Sequence, residues 1–145
     1  MSEDMKYPKK YWAGGFLYNP INNSVFLHKR DGNTKFNPNK WAFFGGLNEE
    51  VDKNPFECFA RELKEEIGLD VCNKEIIKLC EYMNVELDTY RVVFYVESDV
   101  SENDLILGEG AGFGWVSIDN MKEYELTDKT EDDLIVFMDR ERKDI

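Results

Sequence analysis

One segment of the 145-residue chain carries both the start and the stop signals of a helix, and it constrains the fold more than any other. Asn54 can cap the helix, Pro55 suits its first position, and Glu57 completes a capping box three residues after Asn54. Gly68 is a typical C-terminal stop. We therefore predict a helix that runs from Pro55 to about Ile67.

The predicted helix has two faces of opposite character. Its apolar side chains share one arc: Phe56, Phe59, Ala60, Leu63 and Ile67. Glu62, Glu65 and Glu66 share another arc, where like charges at i, i+3 and i+4 repel one another. Arg61 can pair with Glu57 or Glu65, but one guanidinium cannot balance three carboxylates. Because Mg²⁺ and Mn²⁺ prefer oxygen ligands, the acidic arc indicates either a divalent-metal site or a solvated helix face.

Strand-like runs lie on both sides of this helix. They cover Tyr11–Tyr18, Ser24–Lys29, Trp41–Phe44, Ile76–Glu86, Thr89–Glu97 and Gly112–Ile118. Leu87 and Asp88 are typical of a hairpin turn, and a second helix is predicted from Asp132 to Arg140 with Thr130 as its cap. Since strands outnumber helices, we predict one α+β domain over residues 1–145, with a mixed sheet between helices in α/β/α layers.

Composition disfavours several functional classes. The net charge of −12 would repel a nucleic-acid backbone, and no apolar run is long enough for a membrane span or a secretory signal. Cys58, Cys72 and Cys80 lack a C-x-x-C spacing, and His28 is the only histidine, which argues against a zinc site and a disulfide framework. We expect a cytoplasmic protein whose chemistry runs through carboxylates.

The string from Arg61 to Leu69, preceded by Phe43-Phe44-Gly45-Gly46, resembles the Nudix box G-x5-E-x7-R-E-U-x-E-E-x-G-U, where U is aliphatic. Its second half should occur by chance in about one chain in a hundred thousand. The box occurs in hydrolases of nucleoside diphosphates linked to another moiety, and the order of strands around it resembles the α/β/α sandwich of the MutT-like members. The resemblance thus implies both a fold and an activity.

The first half of the box departs from the pattern. Five residues after Gly46 comes Asp52 rather than Glu, and eight rather than seven residues then precede Arg61. Counted back from Arg61, the glutamate position holds Lys53, and Phe44 stands where proline often precedes the glycines. Either Asp52 replaces the carboxylate that usually pairs with the box arginine, or that pairing is absent.

The resemblance also implies roles for individual residues. Mg²⁺ or Mn²⁺ would be held by the helix carboxylates and one backbone carbonyl, from Glu62, Glu65, Glu66 and Gly45. The general base would be Glu62, Glu65 or Glu109, while Arg61 would orient carboxylates. Substrate contacts would come from Arg30, Phe43, Phe44 and Gly46, and the stretch 127–132 resembles the one that reads a purine edge.

On this basis we predict a pyrophosphohydrolase acting on a nucleoside triphosphate, normal or oxidised, such as 8-oxo-dGTP, and releasing the monophosphate. ADP-ribose, a nucleotide sugar or a dinucleoside polyphosphate are alternative substrates. A ligand-binding module with a decayed box, favoured by the altered loop at Asp52 and Lys53, and a structural interaction domain are alternative functions. The expected partner is a small nucleotide rather than a nucleic acid or a membrane, and a homodimer is common in the family.

Overall fold

The computed structural model describes residues 7–30, 32–33, 39–106 and 112–143. Its strands are β1 Tyr11–Asn19, β2 Ser24–Lys29, β3 Trp41–Ala42, β4 Phe44–Leu47, β5 Ile77–Asn84, β6 Thr89–Glu97 and β7 Gly112–Ser117. Its α-helices are α1 Pro55–Ile67 and α2 Asp128–Lys143. Short 3₁₀ turns cover Val85–Leu87, Glu102–Asp104 and Ile118–Glu123.

The strands form one mixed sheet in which β1 is central. Along one edge, β1 runs parallel to β6, from the pair Tyr11 and Tyr90 to the pair Tyr18 and Glu97. Its other edge is shared by β4 and β2, both antiparallel to it. The remaining antiparallel pairings join β2 to β3 and β7, and β5 to β6. This arrangement confirms the predicted mixed sheet flanked by helices.

Helix α1 covers one face of the sheet because its apolar arc packs against buried apolar residues of the strands. Phe59, Leu63 and Ile67 are fully buried against the sheet residues Ala13 and Phe94. Asn54 caps the helix, since its Oδ1 accepts a hydrogen bond from the Glu57 N–H at 3.0 Å. The helix ends at Gly68, which adopts φ +70° and donates its N–H to the Lys64 carbonyl. Both predicted ends of α1 are therefore confirmed.

Helix α2 covers the opposite face, where Leu134 and Phe137 are fully buried. The Phe137 ring packs edge-on against the rings of Phe16, Tyr18 and Tyr95 at centroid distances of about 5 Å. Alternation along β1 supplies both cores, because Phe16 faces α2 and Leu17 faces α1. The two layers of helix and the sheet between them form the predicted α/β/α sandwich.

The start of α2 was predicted wrongly. The helix begins at Asp128 rather than Asp132, so Thr130 is not its cap but a buried residue of the first turn. Its Oγ1 accepts a hydrogen bond from Thr127 Oγ1 at 2.7 Å, and the Thr127 carbonyl accepts from the Glu131 N–H. The Thr127 and Thr130 hydroxyls are thus hydrogen-bonded although they are buried. The helix begins before Thr130, whereas we expected it to begin after this residue.

Two strand predictions also need correction. The run Trp41–Phe44 divides into β3 and β4, with Phe43 in neither. The β5 strand stops at Asn84, and a 3₁₀ turn with Asp88 at φ +48° makes the hairpin. The bounds of β2 and β6 agree with the prediction. Within the described residues, no helix combines the length and apolar character that a bilayer span requires.

Candidate active site

Strand β4 and helix α1 bring the glycine pair and the acidic arc together. Glu66 Oε2 accepts a hydrogen bond from the Gly45 N–H at 3.0 Å. A Cβ atom at Gly46 would lie 2.5 Å from Glu62 Oε1, so the bare Gly46 backbone makes room for that carboxylate. The structure thus places two of the three predicted acidic residues directly against the predicted glycine loop.

Gly45 occupies a position that other residues cannot adopt without strain. Its φ is +157°, and a Cβ atom there would lie 2.6 Å from the Gly14 Cα and 2.7 Å from Trp12 Cζ2. The strand pairing with Gly14 fixes the backbone of Gly45 in register with β1. Space as well as conformation therefore requires glycine at this point of the loop.

Arg61 links the loop to the acidic arc. Its Nε and Nη2 donate to the two carboxylate oxygens of Asp52 at 2.9 and 2.8 Å, a bidentate pair. Its Nη1 lies 3.1 Å from Glu65, 3.2 Å from Glu49 and 3.3 Å from Glu62. Of the two alternatives left by the altered loop, the structure supports the first: Asp52 pairs with the box arginine.

Asp52 is well suited to hold this guanidinium, since its side chain is only 2% exposed. Its Oδ2 also accepts a hydrogen bond from the Glu49 N–H at 2.8 Å. Burial alone would raise the pKa of Asp52, but the hydrogen bonds from Arg61 and Glu49 lower it below its usual value. The extra loop residue is thus accommodated by a shorter side chain that stays ionised.

Glu62 lies in a different electrostatic environment. Burial raises the pKa of its half-buried carboxyl, the Arg61 charge opposes that shift, and the Glu65 charge reinforces it. Four carboxylates, those of Glu49, Asp52, Glu62 and Glu65, share the single Arg61 guanidinium. The site is therefore acidic beyond what its arginine can neutralise, as the sequence predicted.

The donor set suits a hard divalent cation in its chemistry. Carboxylate and carbonyl oxygens are the ligands that Mg²⁺ and Mn²⁺ prefer. In the part of the chain that the structure describes, no three His, Cys, Asp or Glu side chains already form a metal-binding group. Glu62 and Glu66 face the Gly45-Gly46 backbone, whereas the Glu65 carboxylate is 56% exposed and bonds to Arg61.

The remaining predicted site residues are spread more widely. Arg30 follows β2 directly and donates its backbone N–H to the Lys40 carbonyl at 2.9 Å. Phe43 and Phe44 are 4% and 0% exposed, and their rings stack on Phe16 and Phe26 in the two cores. Glu109 lies outside the described residues.

Two charged residues whose contacts the structure shows were not identified from the sequence. Glu49 contacts the Arg61 guanidinium, but nothing distinguishes it from other loop acids in the sequence. Arg91 lies on the α2 face of β6, 9% exposed, and its Nε donates to Asp133 Oδ2 at 2.9 Å. An arginine inside the otherwise apolar strand 89–97 was the signal available, because buried arginines are almost always paired. The stretch 127–132 lies at the start of α2, beside this pair.

Comparisons with known proteins agree with this geometry. Residues 9–137 match the family described as the NUDIX domain. No curated protein gave a match.

Several solved structures share the fold at low sequence identity. A mutT/nudix family protein from Listeria innocua is 17% identical, with 95% of this chain and 97% of that chain covered and a TM-score of 0.72. A structure of MutT, described together for Aliivibrio salmonicida and Vibrio cholerae, is 23% identical, with 89% of this chain and 94% of that chain covered and a TM-score of 0.68. The MutT protein of Methanosarcina mazei Go1 is 21% identical, with 94% and 99% covered and a TM-score of 0.67.

Proposed function

Because the chain belongs to the Nudix family and is a hydrolase of phosphoanhydride bonds, we propose that it converts a nucleoside triphosphate, normal or oxidised, to the monophosphate with the help of Mg²⁺ or Mn²⁺. One observation carries the proposal: Glu62 and Glu66 lie against the Gly45-Gly46 backbone beside an arginine that Asp52 holds. Carboxylate oxygens of the helix therefore lie directly against the backbone of the glycine loop.

In the proposed mechanism, the metal would be held by Glu62, Glu66 and the Gly45 carbonyl, with Glu65 as a further ligand. When bound, it would screen the phosphate charge and lower the pKa of an attacking water. Arg61 orients the carboxylates through the contacts described above. The general base is Glu62, Glu65 or Glu109, and each would accept the proton that the attacking water loses.

Two parts of the chain support a nucleotide substrate because they resemble positions that contact the nucleotide in the family: Arg30 and the stretch 127–132. Arg30 lies at the end of β2, where its cationic side chain suits a phosphate or a base edge. The altered loop, which favoured a non-catalytic binding module, keeps the ion pair between Asp52 and Arg61. This contact supports the hydrolase.

The proposal also includes the cellular compartment and the oligomeric state of the protein. Cys58, Cys72 and Cys80 are free thiols, which suits the reducing cytoplasm. Cys58 is buried, and burial raises the pKa of its thiol to about 12. A homodimer stays a prediction from the resemblance, to be tested by sedimentation.

The test is a hydrolysis assay with Mg²⁺ on dGTP, 8-oxo-dGTP, ADP-ribose, a nucleotide sugar and a dinucleoside polyphosphate. We expect the triphosphates to be cleaved to monophosphate and pyrophosphate with the highest kcat/KM. Glu66→Gln should reduce kcat by orders of magnitude, whereas the matched control Glu86→Gln, exposed in the turn between β5 and β6, should leave it unchanged. Preferred cleavage of another substrate, or full activity of Glu66→Gln, would overturn the proposal.

A further inference from the structure

The indole of Trp12 lies against two glycines of neighbouring strands. A Cβ atom at Gly14 would lie 2.6 Å from Trp12 Cζ2, and one at Gly45 would lie 2.7 Å from the same atom. Gly14 and Gly45 are paired in register across β1 and β4, so the ring rests on both backbones at once. Since neither glycine has a side chain, this ring is in direct contact with the backbone of the active-site loop.

The Trp12 ring also contacts one member of a buried ion pair, which Arg91 forms with Asp133. The Arg91 guanidinium carbon lies 4.1 Å from the Trp12 ring centroid and 5.8 Å from that of Phe43. Asp133 of α2 is 1% exposed and accepts hydrogen bonds from Arg91 Nε at 2.9 Å and from Tyr82 Oη at 2.7 Å. Arg91 is thereby held in one orientation over the indole.

These contacts form a continuous path from α2 to the acidic arc. Asp133 holds Arg91, Arg91 covers Trp12, Trp12 rests on Gly45, and the Gly45 N–H holds Glu66. We propose that Trp12 is a positioning residue which, fixed by Arg91 and Asp133, sets the place of Gly45 and so of the Glu66 carboxylate. The inference rests on the proposed function for its catalytic consequence, but the contacts themselves do not.

A simple core would not need these residue types. An aliphatic side chain at position 91 would fill the same space without the cost of removing a charge from water. A planar guanidinium pinned by a carboxylate has one orientation, whereas an aliphatic chain has several rotamers. The choice of Arg91 and Asp133 thus fixes the plane of the indole, and the indole in turn packs against Gly14 and Gly45, which have no side chains of their own.

The test compares Trp12→Leu with Trp12→Phe and with the control Trp41→Leu, which removes a partly buried indole elsewhere on the same face of the sheet. Without metal, we expect the Gly45 amide of Trp12→Leu to exchange its hydrogen about tenfold faster relative to the Phe26 and Leu27 amides. Mn²⁺ affinity, measured by titration, should fall about tenfold, and kcat should fall more than KM rises. Trp12→Phe should restore part of each loss.

Trp41→Leu should lower the melting temperature without selective exchange at Gly45. Equal effects of Trp12→Leu and Trp41→Leu on Gly45 exchange and Mn²⁺ affinity would overturn the inference. If Trp12→Leu does not fold, Arg91→Lys replaces it, because it keeps a charge for Asp133 but loses the flat guanidinium, and the same selective exchange is expected. If the wild type neither binds Mn²⁺ nor hydrolyses nucleotides, the proposed function fails, while Gly45 exchange still decides the role of Trp12.

Discussion

Two arginine–aspartate pairs lie on opposite sides of the sheet, and they are almost equally buried. The side chains of Arg61 and Asp52, on the α1 side, are 17% and 2% exposed, and those of Arg91 and Asp133, on the α2 side, are 11% and 2% exposed. Their surroundings differ. Three further carboxylates contact Arg61, whereas aromatic rings lie beside Arg91.

The comparison shows that the same kind of ion pair can have two different effects. Around Arg61 the negative charges outnumber the guanidinium, so the pair leaves a site that a divalent cation would stabilise. The charge of Arg91 is matched by Asp133, and the aromatic rings complete its contacts, so the pair fixes packing. The variants below separate these two effects, beginning with the largest.

The largest effect is expected from Asp133→Ala. Loss of this carboxylate leaves the buried Arg91 charge unpaired, which costs about 3–5 kcal/mol of the free energy of unfolding. Denaturant unfolding at neutral pH measures it, with Asp132→Ala, the exposed neighbour, as the control. The control should change stability by less than about 0.5 kcal/mol. A loss no greater than that of the control would show that the pair does not hold α2 on the sheet.

Asp52→Asn should lower the free energy of unfolding by less, about 1.5–3 kcal/mol. This variant weakens hydrogen bonds to a charged group, but it does not leave an unpaired charge in the core. Since the pKa of Asp52 is lowered in the folded state, its stabilisation is present above the pKa of the unfolded chain and is lost as pH falls through the folded-state pKa. The difference between wild type and variant in urea unfolding should therefore shrink in acid. A difference that is constant with pH would contradict this role.

Glu62→Gln should stabilise the metal-free protein. Burial raises the pKa of Glu62, so its ionisation costs stability as pH rises through that pKa, and the neutral amide avoids this cost. Thermal melts at neutral pH should show a midpoint higher by a few degrees, alongside a loss of hydrolysis. A lower midpoint for the variant would mean that the Arg61 contact outweighs the burial.

The smallest change in stability is expected from Glu65→Gln. Its carboxylate is more than half exposed and pairs with Arg61 at i, i+4, a contact that contributes at most about 0.5 kcal/mol. The difference from wild type should vanish in about 1 M salt, where screening is strong. If Glu65 is a metal ligand as proposed, hydrolysis will nevertheless fall far more than stability does.

The parts of the fold that the sequence could predict are those fixed by neighbouring residues. Asn54 and Gly68 bound α1 through hydrogen bonds within the helix, so both ends were correct. The start of α2 was placed too late because Thr127 and Thr130 both suit a cap by residue type, and only the structure shows that Thr130 is buried within the first turn. Local patterns specify local hydrogen bonds and leave burial undetermined.

The same distinction applies to the site. The spacing of Glu62 and Glu66 on one helix placed them together, and the structure brings both to the glycine loop. Whether Asp52 reaches Arg61 depended on the path of a loop one residue longer than the pattern, which no spacing rule gives. The pair of Arg91 and Asp133 joins residues 42 positions apart, beyond the range of any periodic pattern.

The parallel pairing of β1 with β6 has a consequence for how the chain reaches its native state. Each of the eight residue pairs joins positions about 80 residues apart, so this edge of β1 cannot close until Glu97 has been synthesised. Until then the growing chain exposes an unpaired apolar strand to other nascent chains. Truncations that end before Glu97 should therefore aggregate.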